Sequence, residues 1–282
     1  MSEKRYQISP IELVQWAEPL FGDEGAPAQG ISQELVVSYE AAAGFRLPAA
    51  LRDYLLTCGR ASLNDMLHPM HIPDKDAKPF GGHLTFSHDY IEDAMLDFRR
   101  HNETGNEEQE RLWALPKERW GEQQDNYLLF WHENQGCWYA GIRKQDLDQP
   151  DPAVYFNDQD TMYHWAPWSH SVSSFLISTI LEIIECEPTA DTSTFEDPEE
   201  IQRVLAEGGV DFQRLQEFYP FPGGRFCHTC LDTGTNTLYV YGEEAENRPV
   251  YLKVIKPWEE DQRRRFYELS WRLSGHYRGR AG

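Results

Sequence analysis

The four residues Cys227-His228-Thr229-Cys230 have the spacing most suggestive of chemistry. C-x-x-C supplies half of a tetrahedral zinc site, or a dithiol redox pair. A structural zinc needs two further ligands at matching spacing, and the sequence has no second pair. The run from Arg225 to Leu231 also reads as a strand. Residues three apart in a strand point to opposite faces, with Cα atoms ~10 Å apart, beyond disulfide reach. Two reduced thiols are therefore the expectation. His68, His71, His83 and His88 are the other metal-ligating types, but their spacing fits no common ligand pattern, and loop histidines are expected. Asp146 with Asp148, and Glu133 near Asp151, are carboxylate pairs of the kind used in general acid–base catalysis. In a chain with 47 acidic residues such pairs arise from composition. They sit in polar turns, where nothing raises a carboxyl pKa. No G-x-S-x-G, no G-x-x-x-x-G-K-[ST] and no G-x-G-x-x-G opening a helix occurs. The basic run Arg263 to Arg265 pairs best with Glu259, Glu260 and Asp261 on one helical face.

The elements that would position these residues centre on Asn126 to Phe156. Two apolar and aromatic runs, N-Y-L-L-F-W-H and C-W-Y-A-G-I-R, flank the turn E-N-Q-G, which predicts a β-hairpin. Strict alternation would put Tyr127, Leu129 and Trp131 on one face and Leu128, Phe130 and His132 on the other. Both faces are apolar apart from His132, so a central strand covered on both sides is expected. Ahead of it, Ser9-Pro10-Ile11-Glu12 opens a helix, and a second runs from Ser32 to Ala43 with Gly44 as its stop. Leu35, Val36, Tyr39 and Ala43 face inward in that reading. Pro48 opens a third helix ending at Cys58-Gly59. A strand over 81–87, a helix over 90–100 and an exposed loop over 101–110 follow. Pro167 limits an edge strand, and Ser171 begins a helix whose apolar stripe includes Phe175, Leu176, Ile180 and Ile184. A linker is expected over 187–198. A tail of helix, short helix (211–218), three strands and a last helix (258–273) then follows.

The composition is that of a globular chain: 282 residues, 40% hydrophobic, nine Trp. The net charge of −21 is uneven, with −17 in residues 1–187 and −4 in the remainder. So acidic a surface repels phosphate backbones, which excludes nucleic acid as the expected partner, and it speeds encounter with a basic protein. No apolar run has the length of a signal peptide or a membrane span. Five scattered cysteines do not form a disulfide framework. A reducing cytoplasm is the expected compartment.

The order of these pieces resembles the SUKH superfamily. Y-E-A-A-A-G-F-R-L-P-A-A-L-R-D-Y-L-L-T-C-G (39–59) is similar to its opening helix, Leu-Pro and second helix. E-N-Q-G-C-W (133–138) resembles its central hairpin, D-P-A-V-Y (151–155) its Asp-Pro-x-Val strand, and Trp165 with S-V-S-S-F-L (171–176) its final helix. The resemblance covers about residues 8–187. It implies an α+β fold of helices packed on a twisted, mainly antiparallel sheet, with residues 1–187 forming the SUKH-like domain; residues 188–282 lie outside the resemblance and read, from their own pattern, as a smaller C-terminal α+β unit of open role. It also implies binding rather than catalysis, with no cofactor and no metal. Bacterial members of this kind are immunity proteins that block a cognate toxin, and fungal relatives regulate cell-wall synthesis. A basic toxin domain is the expected partner, with Glu133, Asn134, Asp146, Asp148 and Asp151 expected to gather at hairpin and loop ends as its contact surface. The competing readings are an intracellular regulator or scaffold of the same fold, and a metal-dependent hydrolase using the histidines or Cys227 and Cys230.

Overall fold

The computed structural model describes residues 4–5, 8–21, 28–61, 72, 84–132, 138–158, 164–186, 190–211, 216–218, 226–244 and 248–257. Strand β1 (Lys4–Arg5) precedes helix α1 (Pro10–Phe21). The α1 start is a reciprocal cap: Ser9 N–H donates to Glu12 Oε2 at 2.9 Å, and Glu12 N–H donates to Ser9 Oγ at 3.2 Å. Two donors that helix geometry leaves free are thereby satisfied. Helix α2 (Gln33–Ala43) is capped by Ser32 and stopped by Gly44 in the left-handed region at φ +74°, where a Cβ would be penalised. Val36 is buried and Leu35 and Tyr39 half-buried, whereas Ala43, expected inward, is exposed. Helix α3 (Ala49–Cys58) buries Leu51, Tyr54, Leu55 and Cys58.

Strand β2 (Thr85–Phe86) runs straight into α4 (Ser87–Arg100), which starts earlier than periodicity suggested. The expected loop over 101–110 contains a further helix, α5 (Glu107–Trp113), opened by a capping box in which Asn106 and Gln109 each accept the other's backbone N–H at 2.8 Å. After a 3-10 turn (Lys117–Glu122) come β3 (Tyr127–His132), β4 (Trp138–Arg143), a 3-10 turn (Lys144–Asp146), β5 (Val154–Asp158), β6 (Trp165–Ser169) and α6 (Val172–Cys186). These strands form an antiparallel sheet in the order β2-β3-β4-β5-β6, so the stretch from 126 to 156 is its middle and β6, carrying Pro167, is an edge.

Alternation along β3 breaks where expected least. A register shift between Leu129 and Trp131 leaves Phe130 as an extra residue, the signature of a β-bulge. Phe130 and Trp131 consequently both pack on Phe175 of α6, at 5.3 and 5.5 Å between ring centroids. Beyond the bulge the faces exchange, and His132 joins Tyr139 on the side facing α4.

The second sheet departs further from expectation. The supposed linker contains strand β7 (Ala190–Phe195), and the supposed short helix contains β8 (Gln216–Phe218). With helix α7 (Pro198–Glu207) between them and β9 (Phe226–Asp232), β10 (Thr237–Glu244) and β11 (Arg248–Pro257) after them, they build an antiparallel sheet ordered β1-β9-β10-β11-β7, with β8 also on β9. One face of this sheet, with Tyr239, Tyr241, Leu252 and Cys230, packs with Ile201 and Leu205 of α7. The other, with Leu231, Leu238, Val240 and Ile255, belongs to the same buried core as Leu13, Val14 and Ala17 of α1 and Ile180 and Ile184 of α6. Trp16 Nε1 donates to Asn236 Oδ1 at 2.7 Å across this junction, and Lys4 pairs with Asp232. The fold is α+β with two antiparallel sheets. Among the described residues no helix is long and apolar enough to cross a membrane. The expected last helix over 258–273, with Arg263 to Arg265, lies outside the described residues.

Candidate functional site: a groove beside the β4–β5 connection

An open groove of about 1280 Å³ separates the end of α2 and the start of α3 from the segment joining β4 to β5. Its geometry follows from the turn Gly44-Phe45-Arg46-Leu47-Pro48. Gly44 N–H donates to Glu40 O at 3.0 Å and ends α2. Glu40 Oε1 then accepts the Leu47 N–H at 3.0 Å and lies 3.4 Å from Arg52 Nε. One carboxylate thus holds both the connector and the first turn of α3. The opposite wall is tied to it by Ala50 N–H donating to Pro150 O at 2.9 Å, and is anchored to the sheet by Lys144 N–H donating to Asn126 O at 2.8 Å.

The lining is mixed. Phe45 and Phe86 pack at 5.3 Å, and the Lys144 ammonium sits 4.9 Å above the Phe86 ring, a cation–π contact. Val37, 47% exposed, is one of two large exposed hydrophobic side chains among the described residues, and it lines this groove. The charged lining groups are Glu40, Asp148, Arg46, Arg52 and Lys144. Glu40 and Arg52 neutralise each other. Arg46, Lys144 and Asp148 form no ion pair among the described residues, so the groove keeps a local excess of one positive charge in a protein of net charge −21.

Of the acidic residues singled out in the sequence, Asp148 is exposed and faces this groove. Asp146 closes its own turn, its carboxylate accepting from Gln149 Nε2 at 3.0 Å and its carbonyl from Gln149 N–H at 3.1 Å. Asp151 accepts the Ser173 N–H at 3.0 Å and so caps the N-terminus of α6. Glu133 and Asn134 lie outside the described residues. Arg46, Lys144 and Val37 were missed; nothing in the sequence marks them, because only folding brings 37, 46 and 144 to one groove.

The candidates for chemistry lie elsewhere. Cys230 is fully buried in the core against α7, and residues 227 and 230 pair with Gly242 and Tyr239 in one regular strand. Burial, with Glu18 nearby, pushes the Cys58 thiol up to about 12. His88 is buried at the start of α4, its ring 5.8 Å from Trp120; burial lowers its pKa, partly offset by the carbonyls of Gln124 and Asp125. His68, His71 and His83 lie outside the described residues. Among the described residues no three His, Cys, Asp or Glu side chains converge as a metal site would require.

The family model described as SMI1 / KNR4 family (SUKH-1) matches residues 30–178, a span that includes both walls of the groove and the whole five-stranded sheet. No curated protein and no solved structure matches the chain.

Proposed function

The chain belongs to the SMI1 / KNR4 (SUKH-1) family, and from that premise we propose that it is a non-enzymatic protein-binding module, an immunity protein that binds and neutralises a cognate bacterial toxin in the cytoplasm of the producing cell. The observation that carries the reading is charge: −17 over residues 1–187 gives long-range attraction to a basic toxin domain and raises the association rate, more than it raises affinity itself. The open groove supports it, since a concave surface of mixed polarity suits a segment of another macromolecule. Asp146 and Asp148 belong to the contact surface in this reading, together with Glu133, Asn134 and Asp151; Asp151 has its helix-capping role besides. The test is co-expression with the product of the adjacent gene, scoring growth rescue and co-purification. Rescue with a stable complex is the expected result. A neighbour that is neither toxic nor retained by the protein sinks the immunity reading in favour of a regulator of the same fold.

A further inference from the structure

We propose that the groove between the α2–α3 connector and the β4–β5 segment receives an extended, carboxylate-bearing peptide segment of the partner, with an apolar side chain seated against Val37 and the Phe45–Phe86 floor. The inference rests on the protein-binding reading and deepens it, because it assigns the groove a partner chemistry opposite in sign to the one the whole-protein charge selects.

Val37 is exposed on one wall of the groove, where an apolar side chain of a partner would remove it from water. Among the residues lining the groove, the charges outside ion pairs are Arg46 and Lys144 against Asp148. Glu40, the other acid, is engaged by Arg52 and by the Leu47 N–H, so it is not free to repel an incoming carboxylate. Arg offers a planar fork that matches a carboxylate in two hydrogen bonds. Lys144 is already held over Phe86, so less side-chain freedom is lost when it binds. The acidic exterior then attracts the body of a basic partner from a distance, within about 10 Å screening lengths, while the two groove cations fix the register of one acidic segment. Mixed signs of this kind give specificity, since a uniformly basic ligand would meet Arg46 and Lys144 as repulsion.

The test uses the full-length protein and a random 12-residue peptide library displayed on phage, panned against wild type, with enriched peptides synthesised and titrated by fluorescence anisotropy. The expected result is enrichment of sequences pairing an aliphatic or aromatic residue with Asp or Glu. Their affinity should fall at least tenfold in the R46E/K144E double variant and in V37D, with cooperative melting retained in both and only a small drop in melting temperature in the double variant, which loses the Lys144–Phe86 contact. Enrichment of basic or uncharged peptides, acidic peptides insensitive to these variants, or no saturable binder at all would each overturn the assignment. The co-expression experiment separates the two ideas. A toxin that binds the double variant as well as wild type leaves the immunity reading standing and removes the groove from it, whereas peptide binding needs no toxin and is unaffected if the adjacent gene product does not interact.

Discussion

Gly141 lies where a Cβ would come within 2.9 Å of the Trp165 ring and 3.0 Å of Tyr127 Cβ. The missing side chain is what lets that indole stack on Tyr127 at 4.0 Å and 14°. Gly141→Ala is expected to destabilise the protein by about 1–3 kcal/mol through overpacking, read as a lower urea midpoint at constant slope; an unchanged midpoint would mean the stack shifts freely. His88 carries a pH prediction. Its folded pKa lies below the ordinary 6.5 because burial disfavours the charged ring. Well above pH 6.5 both states are neutral and the group contributes no pH dependence. As pH falls below 6.5 the unfolded chain takes up a proton that the folded chain refuses, so stability declines. His88→Phe should flatten the loss of stability between pH 7 and pH 5, measured by urea unfolding. Asp148→Lys should slow association with the partner several-fold at low salt and leave stability unchanged; equal stopped-flow rates would remove Asp148 from the surface.

At the scale of elements, the capping signals were readable and decisive. Ser9 with Glu12, Ser32 with Gly44, and Pro48 mark four helix ends from residue type alone, because a cap is a local hydrogen-bond requirement and Pro fixes the backbone angle of a helix start. The Asn106–Gln109 box was equally present, but seven acidic and polar residues around it masked α5 as a loop. Asn106→Ala should cost about 1 kcal/mol and increase amide exchange within 107–113 selectively. Asp151→Ala should cost a similar amount, since it removes one of the two side-chain acceptors at the start of α6, the Ser171 hydroxyl remaining on Ser174 N–H; a variant that loses association but no stability would show that the carboxylate serves the partner alone. Strand β7 was illegible for another reason. Asp191 to Thr194 are exposed at a sheet edge, so no buried face imposes an apolar alternation, and only pairing with β11 makes the segment a strand.

For the whole molecule, the expected boundary at residue 187 falls between α6 and β7, yet apolar side chains from both sides of it lie in one core. Residues 1–187 expressed alone would expose the surfaces of α1 and α6 that this core covers and would leave Lys4 without Asp232. That fragment should melt lower than the full chain and bind the dye ANS; a fragment with full-length stability and no dye binding would establish 1–187 as an autonomous domain. Acid unfolding tests the same junction. Burial alone would raise the Asp232 pKa, but hydrogen bonds from Lys4, Thr235 and Gly234 outweigh it and hold the group at about 2. Its contribution is present above the ordinary 3.8 and is lost as pH falls toward 2, a loss that Lys4→Met should reduce.

Periodicity, caps and turn residues act over fewer than ten positions, and for that reason the residue string alone determined the first three helices and the long helix α6, the central hairpin, the acidic character and the family resemblance. Three things depended on residues far apart in sequence: the bulge that sends Phe130 and Trp131 to one side, the pairing of residues 4–5 with β9, and the meeting of Val37, Arg46 and Lys144 at one groove. Each is decided by long-range packing and hydrogen-bond register, which no local pattern encodes, and the surface proposed here to select a partner is made entirely of such contacts.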